Sequence, residues 1–161
     1  MKLTRTDFLL DDGITFLNHG SFGACPRVLL DEQRRWIDRM ERQPVLFFRE
    51  AASLMKGART ALASFLGADA SDLVYITNST YGVSVAAHAF AASVTPGDEI
   101  LMTDHEYGAC DRAWQLTCEA AGARIVRATI PIPAPPASTL ADHIWSFVTP
   151  RTTILFLSHI T

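Results

Sequence analysis

Hydrophobic positions in the first part of the chain repeat with helical spacing. Apolar side chains recur every three or four residues between Pro26 and Pro44, and again over residues 51–66 before Gly67. This spacing puts them on one face of a helix, and glycine commonly follows a last helical turn. The pattern predicts two amphipathic helices. They follow an irregular arm over residues 8–23, which is rich in Asp, Gly, Asn and Ser.

The pattern then changes to short apolar runs that alternate with helical segments. Almost continuous apolar and β-branched runs occupy residues 73–77, 99–103, 124–128 and 153–157. Such runs are typical of strands buried on both faces of a parallel sheet. Helical segments separate them, after residue 78 and over residues 109–121 and 138–147. The alternation predicts an α/β fold: a mainly parallel sheet with helices on both faces and right-handed crossovers.

Length and charge narrow the class of protein. The 161 residues suffice for one domain with a core, and the net charge of -3 comes from acids and bases spread along the chain. The chain has no basic stripe that could neutralise the phosphates of a nucleic acid, so nucleic acid is not expected as a partner. No apolar run approaches the roughly 20 residues of a membrane span, and the first residues lack the apolar core of a signal peptide. We therefore expect a cytoplasmic protein with no membrane partner.

Histidine and cysteine are scattered along the chain. The five histidines and three cysteines form neither an HExxH motif nor a CxxC pair. These spacings are the usual signatures of zinc sites and redox motifs. We expect no metal site and no disulfide framework.

The first predicted strand is followed by residues suited to binding an anion. Ligands of open parallel sheets bind beyond the carboxyl ends of the strands. There, Thr77 is followed by Asn78, Ser79 and Thr80, and then by a predicted helix. Free backbone N–H groups and two hydroxyls at a positive helix end fit a phosphate. Helix capping by Asn78 or Ser79 explains the same residues without a ligand.

The loop after the next predicted strand carries Tyr107, whose aromatic ring would lie at the same edge of the sheet. Neither GxxxxGK[ST] nor a GxGxxG after a strand occurs, so a phosphate ligand should be smaller than a dinucleotide. Tyr107 can stack on a flat heterocycle. Taken singly, Tyr107 also suits a core edge, and its neighbours His105 and Glu106 suit a solvated loop. A phosphate cradle beside a stacking ring is what pyridoxal phosphate requires.

Segments along most of the chain resemble one known family. They are Leu17-Asn18-His19-Gly20-Ser21-Phe22-Gly23, Gln43-Pro44-Val45 with Arg49, Asn78-Ser79-Thr80, Pro96-Gly97-Asp98-Glu99, Tyr107, and Ser158-His159-Ile160-Thr161. In this order they are similar to the N-terminal part of class V aminotransferase-like enzymes of the fold-type I pyridoxal-phosphate group, within the isopenicillin N epimerase-like branch. The resemblance implies an N-terminal arm and first helix over residues 1–48 and an incomplete cofactor-binding large domain over residues 49–161.

The resemblance also implies roles for residues of the first two loops. The cofactor that the resemblance implies is pyridoxal 5′-phosphate (PLP). Its phosphate would be bound by the backbone of Ser79 and by the hydroxyl and backbone of Thr80, with Asn78 shaping the turn. Tyr107 would lie over the pyridine ring.

Further roles are implied closer to the chain ends. By the same resemblance, Asn18, His19 and Gly20 would lie near the substrate end of the pocket. His159 and Thr161 would lie on the side of the cofactor's phenolic oxygen.

Members of the family are longer than this chain. Their Schiff-base lysine and pyridine-binding aspartate lie at positions beyond the one that corresponds to Thr161. The two lysines, Lys2 and Lys56, do not follow a predicted strand, so we assign no catalytic residue. We expect a fragment of a longer enzyme, inactive alone. For the full-length form the resemblance implies an amino-acid substrate and a homodimer, and leaves transamination, epimerisation and C–S lysis open.

Two other interpretations compete with the family resemblance. The anion site could belong to another phosphate- or nucleotide-binding α/β module. Alternatively, the chain is a non-catalytic remnant or interaction protein whose exposed apolar faces bind a partner.

Overall fold

A computed structural model describes residues 2–160. The chain divides into two compact units, unit 1 (Met1–Val74) and unit 2 (Tyr75–Thr161). The helices are α1 (His19–Phe22), α2 (Arg27–Arg42), α3 (Pro44–Leu66), α4 (Ser79–Ala91), α5 (Gly108–Ala121) and α6 (Ala137–Trp145). The strands are β1 (Glu99–Thr103), β2 (Arg124–Ala128) and β3 (Thr152–Leu155).

Unit 1 is built on the two predicted amphipathic helices. The second begins earlier than the apolar spacing suggested, because Pro44 occupies the first position of α3, where its missing N–H is not needed. The ion pair between Arg39 and Glu50 (2.6 Å) links α2 to α3, and the rings of Trp36 and Phe47 lie 6.3 Å apart. The N-terminal arm over residues 8–23 is irregular as predicted, except for the single turn of α1, and one 3-10 turn (Arg5–Asp7) precedes it.

Unit 2 contains a parallel sheet with the order β2-β1-β3. Every residue of the central strand β1 is buried, as its continuous apolar run predicted. The predicted α/β fold class is therefore confirmed. The last strand differs from its prediction at both ends. It begins at Thr152, one residue before the predicted start, and it ends at Leu155, before the predicted end at residue 157.

The core of unit 2 lies between the sheet and the pair α4 and α5. Its buried members are Ala87, Val94, Ile100, Met102, Trp114 and Cys118. Trp114 on α5 lies 5.7 Å from the ring of Phe156, just after β3. Helix α4 leads into the amino end of β1, whereas α5 starts beyond its carboxyl end and returns to the amino end of β2. Both helices therefore begin towards the carboxyl edge of the sheet.

The prediction of a strand over residues 73–77 is wrong. The segment is extended at Leu73, but its backbone N–H groups donate to no acceptor in residues 2–160. Val74 is 77% exposed, and the boundary between the two units falls within the segment. An apolar, β-branched run becomes a strand only when a neighbouring strand pairs with it, and such pairing is not encoded locally.

The expected domain boundary after residue 48 falls inside α3. It was derived from the family resemblance and stays a prediction about functional domains. Within residues 2–160, no helix is both long and apolar enough to cross a bilayer.

A buried carboxylate joins all three strands at the amino edge of the sheet. Glu99, the first residue of β1, is fully buried. It accepts hydrogen bonds from Thr149 (2.6 Å), from Arg124 on β2 (2.5 Å) and from Arg151 (2.9 Å), just before β3. A bulge lies alongside, since Glu99 pairs with Thr152 but the next residue pairs with Ile154. A buried charge is tolerated only when it is paired in this way.

These contacts make the Glu99 carboxyl group a stronger acid. The hydrogen bond from Thr149, those from Arg124 and Arg151, and the charge of Arg151 together lower the pKa of Glu99 from 4.5 to about 2. The folded protein therefore holds this group as a carboxylate over the whole physiological range.

We predict that Glu99→Gln destabilises the fold. The amide loses the charge-assisted bonds from Arg124 and Arg151, and it places an NH2 donor at a buried position where the carboxylate accepts from three groups. The thermal unfolding midpoint should fall by about 5 °C or more. Glu119→Gln is the control, because Glu119 pairs with Arg112 on the exposed surface of α5, and such pairs contribute little. Equal shifts for both variants would contradict the structural role of Glu99.

We also predict that the difference in folding stability between wild type and Glu99→Gln depends on pH. Because the folded pKa lies below the unfolded value, the carboxylate stabilises the fold above pH 4.5, and this contribution disappears as the pH falls towards about 2. Urea unfolding at several pH values should show the stability gap between wild type and Glu99→Gln closing over that interval. A gap that stays constant would contradict the assigned pKa.

Candidate functional site

The start of α4 has the geometry of an anion site. Asn78 is the N-cap residue, in an extended conformation, and its Oδ1 accepts a hydrogen bond from the backbone N–H of Tyr81 (2.9 Å). The backbone N–H groups of Ser79 and Thr80 donate to no acceptor within residues 2–160, and neither side-chain hydroxyl has a partner there. Two amides and two hydroxyls are thus free at one helix end.

The first turn of α4 is packed closely against the segment that leads into it. A Cβ added at Gly82 would clash with Cδ1 of Ile76. The absence of a side chain at Gly82 therefore lets Ile76 lie against the helix. This contact helps to define the direction in which the chain enters the turn at Asn78.

The charge at this helix end favours an anion. The aligned peptide dipoles of a helix produce a partial positive charge at its N-terminus, and α4 has 13 residues over which they align. The first turn of α4 carries no acidic side chain. A phosphate with three acceptor oxygens matches the four free donors, so the residues present fit the phosphate of the expected cofactor.

Tyr107 occupies the equivalent position at the start of α5. It is the N-cap residue, its carbonyl accepts from the N–H groups of Cys110 (2.9 Å) and Asp111 (3.0 Å), and its side chain is 67% exposed. Its phenol has no hydrogen-bond partner within residues 2–160. Since α4 and α5 both begin towards the carboxyl edge, Tyr107 lies at the same edge of unit 2 as the start of α4.

The loop after β3 completes this edge. His159 is exposed, and the residue before it, Ser158, bonds to Glu106 through both its N–H (3.1 Å) and its hydroxyl (2.6 Å). The sequence suggested a solvated Glu106, and its half-buried, bonded state was missed. The rule that places the carboxyl ends of parallel strands at one edge could have indicated a contact between these two loops. Thr161 lies outside the described residues.

The residues expected near the substrate lie in unit 1. Asn18 is the N-cap of α1, without a side-chain capping bond, and Gly20 is exposed. The His19 ring lies 4.7 Å from that of Phe16 and 5.4 Å from that of Phe8. Packing within the arm is thus one role of His19, and its role towards a substrate stays a prediction.

Comparison with known proteins places these features in a family context. The sequence profile described as aminotransferase class-V matches residues 24–161. The isopenicillin N epimerase of Amycolatopsis lactamdurans is 32% identical over 160 residues, which cover 97% of this chain and 39% of that protein. A cysteine desulfurase of Enterobacter sp. (strain 638) is 37% identical over 78 residues, covering 47% of this chain and 19% of that protein.

A solved structure has the same fold over almost the whole chain. It is a variant of C-DES with glycine covalently linked to its PLP cofactor. The TM-score is 0.80 at 23% identity, over 98% of this chain and 41% of that one. This chain therefore spans less than half the length of the proteins it matches.

We predict that Asn78→Ala destabilises the protein by about 1 kcal/mol, the usual cost of removing a side-chain N-cap. Asn18→Ala is the matched control, because Asn18 caps α1 without a side-chain hydrogen bond. Its effect should stay within about 0.5 kcal/mol. Urea unfolding of the two variants measures the difference, and equal costs would show that the Asn78 bond to Tyr81 does not stabilise α4.

Proposed function

This chain belongs to the aminotransferase class-V family, and from that premise we propose that it forms the phosphate-holding part of a PLP-dependent enzyme that acts on an amino acid. The observation that carries the proposal is the start of α4, where the N–H groups of Ser79 and Thr80 and both hydroxyls are free. Asn78 orients this turn by capping Tyr81. The PLP cofactor of the C-DES structure, which carries a covalently linked glycine, supports the choice of ligand.

Residues from three segments of unit 2 bind different parts of the cofactor. Ser79 and Thr80 bind the phosphate through backbone and hydroxyl groups, which fixes one end of the cofactor. The exposed ring of Tyr107 stacks on the pyridine ring. His159, and Thr161 beyond the described residues, lie towards the phenolic oxygen. When bound, PLP supplies an electron sink for bond breaking at the α-carbon of an amino acid.

The substrate and reaction are proposed at the level of the family. The relatives include an epimerase and a cysteine desulfurase, both of which support an amino-acid substrate. We assign Asn18, His19 and Gly20 to the substrate end of the pocket. Transamination, epimerisation and C–S lysis all stay open, because they share this binding site. A homodimer of the full-length form and a cytoplasmic location stay predictions.

We propose that these 161 residues do not turn over an amino acid by themselves. Lys2 and Lys56 are both exposed and both belong to unit 1. Neither follows a strand at the carboxyl edge of the sheet in unit 2, where the cofactor loops lie. A covalent link between PLP and the enzyme requires a lysine aimed at the bound aldehyde.

We predict that Thr80→Val weakens binding of deoxypyridoxine phosphate about tenfold. This PLP analogue lacks the aldehyde, so it cannot react with surface lysines. The loss corresponds to a hydrogen bond to a charged group, which contributes roughly 1.5–3 kcal/mol. Equilibrium dialysis of the full chain measures the affinity. Thr60→Val is the control, because the Thr60 hydroxyl donates to the Lys56 carbonyl within α3, and it should leave binding unchanged.

Two further ligands separate this proposal from its rivals. Inorganic phosphate should compete with the analogue, whereas pyridoxine without its phosphate should not bind measurably. ATP binding more tightly than the analogue would favour a nucleotide-binding module. No binding of any of these ligands would contradict the assignment of Ser79 and Thr80.

A further inference from the structure

Glu106 connects the two loops that follow β1 and β3. Its Oε1 accepts from the Thr103 hydroxyl at the end of β1 (2.7 Å), and its Oε2 accepts from the N–H (3.1 Å) and hydroxyl (2.6 Å) of Ser158. Glu106 and Ser158 are 52 positions apart in the sequence. The carboxylate therefore forms a cross-link between neighbouring strands at the carboxyl edge of the sheet.

The arrangement of donors around Glu106 favours a side chain that only accepts hydrogen bonds. Thr103 is 6% exposed, and its Oγ1 also accepts the N–H of His105 (3.3 Å), so its own proton is directed at Glu106. Three donors converge on the two carboxylate oxygens, which have enough lone pairs for all of them. An amide at this position keeps one oxygen that can accept from the Thr103 hydroxyl and the Ser158 N–H, as Oε1 does (2.7 and 3.3 Å), but its NH2 group then faces the Ser158 hydroxyl as a donor in place of the acceptor Oε2.

The cross-link is the principal restraint on the loop after β3. The last ladder bond of this strand runs from the Phe156 N–H to the Leu101 carbonyl (2.9 Å). Beyond it, within residues 157–160, Ser158 is the residue whose backbone N–H and side chain have hydrogen-bond partners, and Glu106 provides both. Without Glu106, the backbone from residue 157 to 160 would be held by no hydrogen bond to the rest of the described chain.

The two bonded residues each precede a ring of the proposed cofactor site. Glu106 is followed by Tyr107, the exposed N-cap of α5, and Ser158 is followed by the exposed His159. Fixing Glu106 to Ser158 therefore fixes the backbone that carries Tyr107 relative to the backbone that carries His159. The free anion donors of Ser79 and Thr80 have no hydrogen bond with this cross-link.

We infer that Glu106 is a positioning residue: its carboxylate holds Tyr107 and His159 in a fixed relation at the carboxyl edge of the sheet. The cross-link exists independently of any ligand, and its purpose towards PLP rests on the proposed function. Phosphate binding at α4 and ring orientation by the Tyr107 and His159 loops are thus separate properties, and Glu106 controls the second.

The first test needs no cofactor. Amide hydrogen exchange, read by NMR on the full chain, should show the Ser158 N–H exchanging on the order of tenfold faster in Glu106→Ala than in wild type. Glu106→Gln, which keeps the volume and one acceptor, should be intermediate. The ring-proton shifts of both Tyr107 and His159 should move in Glu106→Ala. Glu119→Ala, the loss of an exposed glutamate on α5, should change neither property.

A double variant tests whether Glu106 acts through Ser158. Ser158→Ala removes the hydroxyl contact alone and should have a smaller effect on the two ring shifts than Glu106→Ala. Adding Ser158→Ala to Glu106→Ala should produce no further change, because both variants remove the same cross-link. Additive effects would overturn the inference, as would a Ser158 N–H exchange rate in Glu106→Ala within about twofold of wild type.

The second test uses deoxypyridoxine phosphate. In Glu106→Ala its affinity should stay within about threefold of wild type, since the phosphate donors are intact, whereas its induced circular dichroism should decrease or change sign because the ring is no longer oriented. Unchanged circular dichroism in the bound complex would overturn the inference. If the analogue fails to bind wild type, the proposed function fails, and the exchange and ring-shift measurements still decide whether Glu106 holds the two loops together.

Discussion

The buried carboxylate of Glu99 is the interaction on which the rest of unit 2 depends. A central strand that is buried along its whole length has no freedom to slide once one end is fixed. Glu99 fixes that end by accepting from Arg124 on one neighbouring strand and from Arg151 and Thr149 beside the other. Because a buried charge is costly unless every contact is made, the network selects one register over its alternatives.

The consequences of this register appear at the opposite edge. The lengths of β1 and β3 set where their loops emerge, and these loops carry Tyr107 and His159. Glu106 then joins them, so each end of β1 is tied to its neighbour by a glutamate. At the amino edge the carboxylate is buried and its pKa is lowered by hydrogen bonds and arginine charge. At the carboxyl edge it is half-buried and bonds only to uncharged donors.

The similarity to known enzymes is consistent with a fold that can serve more than one reaction. An epimerase and a cysteine desulfurase both match this chain, although they carry out different reactions. What they share with it is a fold that presents helix N-termini and loops at one edge of a parallel sheet. A shared fold positions a cofactor, whereas the choice of reaction depends on the groups placed around the substrate. The task proposed for this part of the chain is therefore to hold and orient a cofactor.

The sequence could predict those features that depend on residues close together in the chain. The helices, the strand β1, the cap at Asn78 and the free donors of Ser79 and Thr80 follow from apolar spacing and side-chain chemistry within a few residues. The failed strand over residues 73–77, the network around Glu99 and the cross-link from Glu106 to Ser158 were decided by tertiary structure. Strand pairing and these hydrogen bonds join residues that are 25 to 54 positions apart. Only the order of strands in the sheet brings such residues together, and no local pattern records that order.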